Sequence, residues 1–383
     1  MTTPDSSPVF DVAGGRGCDV PDYILNMAPY RAGKPIEELA REFELDPAGI
    51  VKLASNENPL GLPQSARHAV ADALASLARY PDSNGYDLKA ALSAHYGVAA
   101  NWLTLGNGSN DLLELASLAL LVPGASCVYS QYAFAVYRLA TQARGARHLV
   151  VPARDYGHDL DAMATAVDDD TRLMYIANPN NPTGTFHPAA RMEAFLDRVY
   201  RDSGERVTVV VDEAYNEYLD PELRFDSTQW VRRFPNLIVT RTFSKAYGLA
   251  GLRVGYALAQ PRLTDLLNRV RQPFNVNSLA QAGATAALQD SDFLEQSYEV
   301  TRAGKKMLCG AFDRLGLTYL PSYGNFVLVR VGDAPAVNLA LLRQGVIVRP
   351  VGGDGLPEWL RVSVGLVSEN TRFIEALAHA VGR

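Results

Sequence analysis

Three apolar runs, each closed by polar residues, dominate the middle of the chain. Arg172-Leu173-Met174-Tyr175-Ile176-Ala177 leads into Asn178-Pro179-Asn180-Asn181, Val207-Thr208-Val209-Val210-Val211 ends at Asp212, and Leu237-Ile238-Val239-Thr240 leads into Arg241 to Lys245. Short continuous runs rich in β-branched residues read as buried strands. Asn181 to Asp212 is 31 residues and Asp212 to Lys245 is 33, about one strand–helix–strand crossover each. Residues 191–200 fit the intervening amphipathic helix, and 36–44 form another in an N-terminal arm. Later apolar runs at 326–329, 346–348 and 360–364 predict a second sheet. The pattern is α/β: a tail and arm over 1–50, a large, mostly parallel sheet domain over 51–270, and a smaller α/β C-terminal domain over 271–383.

Polar residues just beyond successive parallel strands meet at one edge of the sheet, where open α/β folds bind ligands. Here that edge receives an amide (Asn181), a carboxylate (Asp212) and an amine (Lys245). An amine held out of water is uncharged more often and so nucleophilic. Beside it stand the hydroxyls of Thr242 and Ser244 and, eight residues on, the guanidinium of Arg253. This set suits a phosphate-bearing aldehyde, pyridoxal 5'-phosphate (PLP). Asp212 can keep its ring nitrogen protonated, Asn181 and Tyr215 can donate to its ring oxygen, and Tyr132 can stack on the ring. The turn Gly106-Asn107-Gly108-Ser109-Asn110 opens a helix, so backbone N–H groups there can hold the phosphate. Each part alone has an ordinary structural explanation; their order and spacing together fit one cofactor.

The same residues carry a resemblance. Asn181-Pro182-Thr183-Gly184, Asp212-Glu213-Ala214-Tyr215, and Ser244-Lys245 with Arg253 resemble the fold-type I PLP-dependent aminotransferases. Ala28-Pro29-Tyr30, the run Leu53 to Gly61, Arg79-Tyr80-Pro81-Asp82, Gly345 to Pro350 and Leu360 to Gly365 narrow it to the histidinol-phosphate aminotransferase family, from about residue 23 onward. The resemblance implies that Lys245 bonds the cofactor and moves the substrate's α-proton. It implies a homodimer in which Tyr80 reaches the neighbour's cofactor phosphate. It also implies substrate contacts from Tyr30, Asn56, Arg349 and Arg361, with Arg361 on a carboxylate and Arg349 with Tyr30 on a distal phosphate. The expected reaction moves the amino group of histidinol phosphate to 2-oxoglutarate, giving glutamate, in histidine biosynthesis. An aromatic amino acid aminotransferase and a PLP-dependent decarboxylase of a phosphorylated amino acid are the alternatives. One departure concerns Asp354, where relatives often carry tyrosine. A carboxylate there weakens the field meant for phosphate, and Arg31 is placed to offset it.

Composition narrows the remaining classes. A net charge of -6 without a basic stripe argues against nucleic acid as a partner. The longest apolar run, Leu112 to Val122, contains Glu114 and Ser117 and is too short for a membrane span. The first residues lack the basic start and apolar core of a signal peptide and read as a mobile tail. Cys18, Cys127 and Cys309 are far apart, and the histidines show no ligand spacing, so no metal site is expected and a reducing cytoplasm fits. A nicotinamide enzyme would need a dinucleotide fingerprint that the chain lacks, and a PLP-binding regulator would need a DNA-binding domain for which the chain has no room.

Overall fold

The computed structural model describes residues 19–30 and 33–382. The expected tail, Cys18 and Arg31 thus lie outside the described residues, apart from the tail's last two positions. The three predicted strands are present as Thr171–Ala177, Thr208–Asp212 and Leu237–Thr242, adjacent and parallel in a seven-stranded sheet. They are continuous apolar runs because both faces of the sheet are covered. Side chains alternate between those faces: Val209 and Val211 enter one core, Val210 and Tyr175 the other. The strand Gly255–Ala259 runs antiparallel to both neighbours, Leu237–Thr242 and Leu103–Gly106, so the sheet is mixed at that edge. The helix expected at 191–200 spans Ala189–Ser203 and buries Met192, Phe195, Leu196 and Val199, a single face.

Register brings the loops together. Ala177 pairs with Asp212, Asp212 with Thr240, and Thr242 with Gly255, which itself opposes Gly106. A side chain at Gly255 would place its Cβ 2.7 Å from the Gly108 carbonyl carbon and the Ser109 nitrogen. Glycine there lets the 106–109 turn lie directly on the strand ends.

A second, antiparallel sheet runs in the order Arg349–Pro350, Trp359–Ser363, Phe326–Arg330, Thr318–Tyr319. Two segments pack away from their expected domains. Val51–Lys52 pairs in parallel with Val346–Ile347, and Leu53 joins the core of the second sheet. Helix Ser278–Leu288 buries Ala280, Ala284, Ala287 and Leu288 in the core of the first. We propose that the units divide along this packing, with the second beginning in the long helix Ser291–Arg314, rather than at residues 51 and 270.

Candidate active site

At the edge where the strands converge lies a cavity of about 200 Å³. Lys245, Asp212, Tyr215, Asn181, Ser109, Asn110, Thr242, Ser244, Arg253, Tyr30, Asn56, Arg349 and Arg361 all line it. Thirteen residues predicted from scattered positions thus share one cavity.

Lys245 follows the Leu237–Thr242 strand, and its Nζ donates to the Ser55 carbonyl at 2.9 Å. Burial pulls this amine down to about 8, and the Arg361 guanidinium pulls the same way. Asp212 ends the central strand and is 5 % exposed. Burial pushes its carboxyl up to about 6 against three hydrogen bonds, from Tyr137, Ala214 and Thr240. All three donors are neutral, so a cationic ring nitrogen would meet a carboxylate with no protein cation already bound to it.

Two hydrogen bonds orient Asn181 and Tyr215. Arg361 donates from Nη1 to Asn181 Oδ1 at 2.6 Å. Arginine has no acceptor, so the amide oxygen must point to it and the Asn181 Nδ2 is left to donate elsewhere. Likewise Asn56 Nδ2 donates to the Tyr215 hydroxyl at 2.9 Å, leaving the phenol proton available. Asn56 sits at a left-handed φ of 55°, a conformation asparagine tolerates, and is held there by Ser363, which accepts from its backbone N–H and donates to its Oδ1.

The anion end is built from the helix Ser109–Leu120, the Thr242 and Ser244 hydroxyls and Arg253. Arg253 Nη1 donates to Ser244 Oγ at 3.2 Å. Gly108 does not line the cavity, but its φ is +81° and a Cβ there would lie 2.8 Å from Arg253 Nη2. The turn therefore needs glycine for its shape and for the close guanidinium. A lysine amine, a ring-sized cavity, a carboxylate held by neutral donors and a helix N-terminus beside an arginine fit PLP.

At the other end are two more guanidiniums. Arg349 and Arg361 are directly opposed in the antiparallel ladder, where like charges repel. Arg361 is buried; it gives Nη1 to Asn181 and Nη2 to the Ala54 carbonyl at 2.7 Å, and its Nε finds no acceptor in the protein. Arg349 stands 5.6 Å over the Tyr30 ring. An anionic ligand would relieve the repulsion.

Besides Gly108, two predicted residues stand elsewhere. Tyr132, expected to stack on the cofactor ring, does not line the cavity. Its ring stacks on Tyr156 at 5.9 Å and packs with Val351, Leu356 and Trp359. The aromatic residue that this segment gives to the cavity wall is Phe134, at the start of helix Ala135–Ala143. The sequence reading missed it because the segment offers several aromatics and only the position of the helix start selects one. Tyr80 is 83 % exposed and stacks on Phe274 at 4.7 Å, away from its own chain's cavity. No group of side chains that could hold a metal ion occurs among the described residues.

Known proteins resemble this chain in sequence and fold. The family described as Aminotransferase class I and II matches residues 48–377. Histidinol-phosphate aminotransferase 1 of Cupriavidus pinatubonensis is 66% identical over 372 residues, covering 96% of this chain and 98% of that protein. Histidinol-phosphate aminotransferase 2 of Ralstonia nicotianae is 65% identical over 367 residues, covering 95% and 97%. Among solved structures, the histidinol-phosphate aminotransferase from Sinorhizobium meliloti in complex with pyridoxal-5'-phosphate superposes with a TM-score of 0.87 at 29% identity, covering 95% of this chain and 98% of that one.

Proposed function

This chain belongs to the histidinol-phosphate aminotransferase family of class I and II aminotransferases, and we propose that it transfers the amino group of histidinol phosphate to 2-oxoglutarate. It is a PLP-dependent transaminase. The observation that carries the substrate reading is the opposed pair Arg349 and Arg361, lining one cavity with Lys245 and Asp212.

PLP, when bound, supplies an electron sink that lets the substrate's α-hydrogen leave as a proton. The rest is the work of this chain's residues. Asp212 would keep the ring nitrogen protonated, and Asn181 and Tyr215 would donate to the ring oxygen. Phe134 takes the stacking role assigned to Tyr132. Ser109, Asn110, Thr242, Ser244 and Arg253 hold the phosphate. Lys245 would hold the cofactor's aldehyde carbon and, once free as an amine pulled down to about 8, would accept the substrate's α-proton at Nζ. Histidinol phosphate has no carboxylate and 2-oxoglutarate has two, so Arg349 and Arg361 serve both in turn. They clamp the phosphate of the donor, and then the carboxylates of the acceptor, with planar paired hydrogen bonds. Tyr30 and Asn56 border that end. Tyr80, exposed and stacked on Phe274, is free to serve the phosphate site of a second copy, and the proposed working unit is a homodimer. No helix among the described residues is long and apolar enough to cross a membrane, and the cytoplasm is the proposed compartment. The donor preference in a single half-reaction tests this reading: histidinol phosphate should convert PLP-loaded protein to its amine form far better than phenylalanine.

Asp354 bears on that preference. Burial raises its carboxyl, and Arg349 and then Arg361 pull it back down, so its charge acts on both arginines from the turn Gly352–Asp354 between their strands. Arg31, the cation expected to offset it, lies outside the described residues. Replacing it, as Asp354→Tyr, is expected to raise kcat/KM for histidinol phosphate about tenfold, with little change for phenylalanine. Steady-state rates with both donors decide it, and no rise for the phosphorylated donor removes the role given to Asp354.

A further inference from the structure

The carboxylate at the centre of the site is held in place by a residue outside the cavity lining. Asp212 Oδ1 accepts from the Ala214 N–H at 3.2 Å and the Thr240 hydroxyl at 3.3 Å, both long contacts. Oδ2 accepts from the Tyr137 hydroxyl at 3.0 Å, the shortest of the three. Tyr137 is completely buried. Its ring lies flat on Tyr175 at 4.6 Å with 4° between the planes, and edge-on to Phe134 at 5.9 Å.

The stack is itself anchored. The Tyr175 hydroxyl donates to the Leu113 carbonyl at 2.6 Å and meets Ser117 Oγ at 2.8 Å. Leu113 and Ser117 lie on helix Ser109–Leu120, whose first turn borders the anion end of the cavity. A buried line therefore runs from that helix through Tyr175 and Tyr137 to Asp212. Phe134 and Tyr137 are three residues apart, at the start of one helix, so one turn carries both the aromatic wall and the donor to the carboxylate.

We propose that Tyr137 is a positioning residue for the cofactor ring: its hydroxyl keeps Asp212 ionised and aimed, so that this carboxylate can hold a protonated pyridine nitrogen. The proposal rests on the assignment of Asp212 to that nitrogen. Three observations favour it over simple core packing. The donor has no second partner. Burial holds the phenol well above its ordinary range, so it remains a donor throughout the working pH range. And Asp212, whose burial favours the neutral form, is drawn back towards ionisation by this hydrogen bond ahead of the other two.

Tyr137→Phe removes the hydroxyl and leaves the ring stack. Apoenzyme carrying it is expected to bind PLP roughly tenfold more weakly, the size of a lost hydrogen bond to a charged group. The acid limb of kcat is expected to move up by about one pH unit, because Asp212 now protonates earlier. KM for the amino donor stays within about twofold of the wild type. Tyr175→Phe, which unties the stack without touching Asp212, serves as the comparison. If both variants lose only thermal stability, and neither PLP affinity nor the acid limb moves in Tyr137→Phe, the tyrosine is core packing and the proposal is overturned. Asp212→Asn separates the two readings. If it weakens PLP binding while Tyr137→Phe does not, the tyrosine's role fails alone. If Asp212→Asn also leaves PLP binding unchanged, the assignment beneath it fails. Should Tyr137→Phe not fold, Thr240→Val provides the second variant, because removing another donor to the same carboxylate must shift the acid limb the same way and by less. An unmoved limb there overturns the proposal.

Discussion

Lys245→Ala is expected to lower the rate of the amino-donor half-reaction by about 10⁴-fold or more, the range over which a placed proton-transfer group acts. The amine is the one basic nitrogen in the cavity that combines partial burial, a pKa pulled towards neutrality and a position just after a central strand. Burial brings it down to about 8, so near that pH a substantial fraction is a free base able to accept a proton. Stability should not suffer. The folded amine gives up its proton more readily than an unfolded lysine. Between about 8 and 10.5 the unfolded chain therefore binds more protons and stability rises with pH; at pH 7 the partly buried ammonium costs folding energy, which alanine removes. PLP should remain associated through Asp212, Asn181 and the anion end. Mixing the cofactor-loaded variant with histidinol phosphate and following the cofactor absorbance gives the rate. A small amine added to the solution should restore part of it. A variant within about tenfold of wild type would mean that another base takes the α-proton.

The second large effect is expected at Arg361. Arg361→Ala should lower kcat/KM for donor and acceptor alike by about 10²–10³-fold, as expected for a buried, hydrogen-bonded ionic contact. Two losses combine. The substrate anion loses a planar partner, and the Asn181 Oδ1 and Ala54 carbonyl lose the donor that fixes them. Because Asn181 then turns freely, kcat should fall as well as KM rise. Arg361→Lys should recover little, since an ammonium keeps the charge but cannot span the same acceptors. Kinetics with histidinol phosphate and with 2-oxoglutarate test this. A loss confined to one of the two substrates would show that Arg349 alone serves the other.

The parts of this site that were legible in the sequence share a cause. Val209, Val210 and Val211 are buried on both faces of the sheet, so the strand is a continuous apolar run and the polar residue ending it stands out. The same holds for Thr171–Ala177 and Leu237–Thr242, and parallel register then carries Asn181, Asp212 and Lys245 to one edge. Arg349 and Arg361 owed their assignment to the family resemblance; nothing in an arginine beside a strand announces that two of them are opposed across a ladder.

What the sequence hid depends on packing between distant segments. Tyr132 and Phe134 are two residues apart and both aromatic, and the helix beginning at Ala135 has no side-chain cap to mark its start. The Tyr137 hydroxyl is invisible until Asp212, 75 positions away, is placed beside it. Helix Ser278–Leu288 is rich in alanine, which suits close contact with any partner. At Gly283 a Cβ would lie 2.8 Å from Leu252 Cδ1 and 3.1 Å from Val70 Cγ2, so it packs tightly on the first sheet's side although its sequence position suggested the second. The pairing of Val51–Lys52 with Val346–Ile347 joins positions 295 residues apart and leaves no local signal.

The central claim is that one cavity joins the chemistry of Lys245 and Asp212 to a donor selected by Arg349 and Arg361. The most direct measurement uses pure, PLP-loaded protein without a keto acid. Histidinol phosphate and, separately, phenylalanine are added, and conversion of the cofactor to its amine form is followed by absorbance. Conversion at low histidinol phosphate, with phenylalanine far weaker, is the expected result. Faster conversion with phenylalanine would contradict it and make the protein an aromatic amino acid aminotransferase.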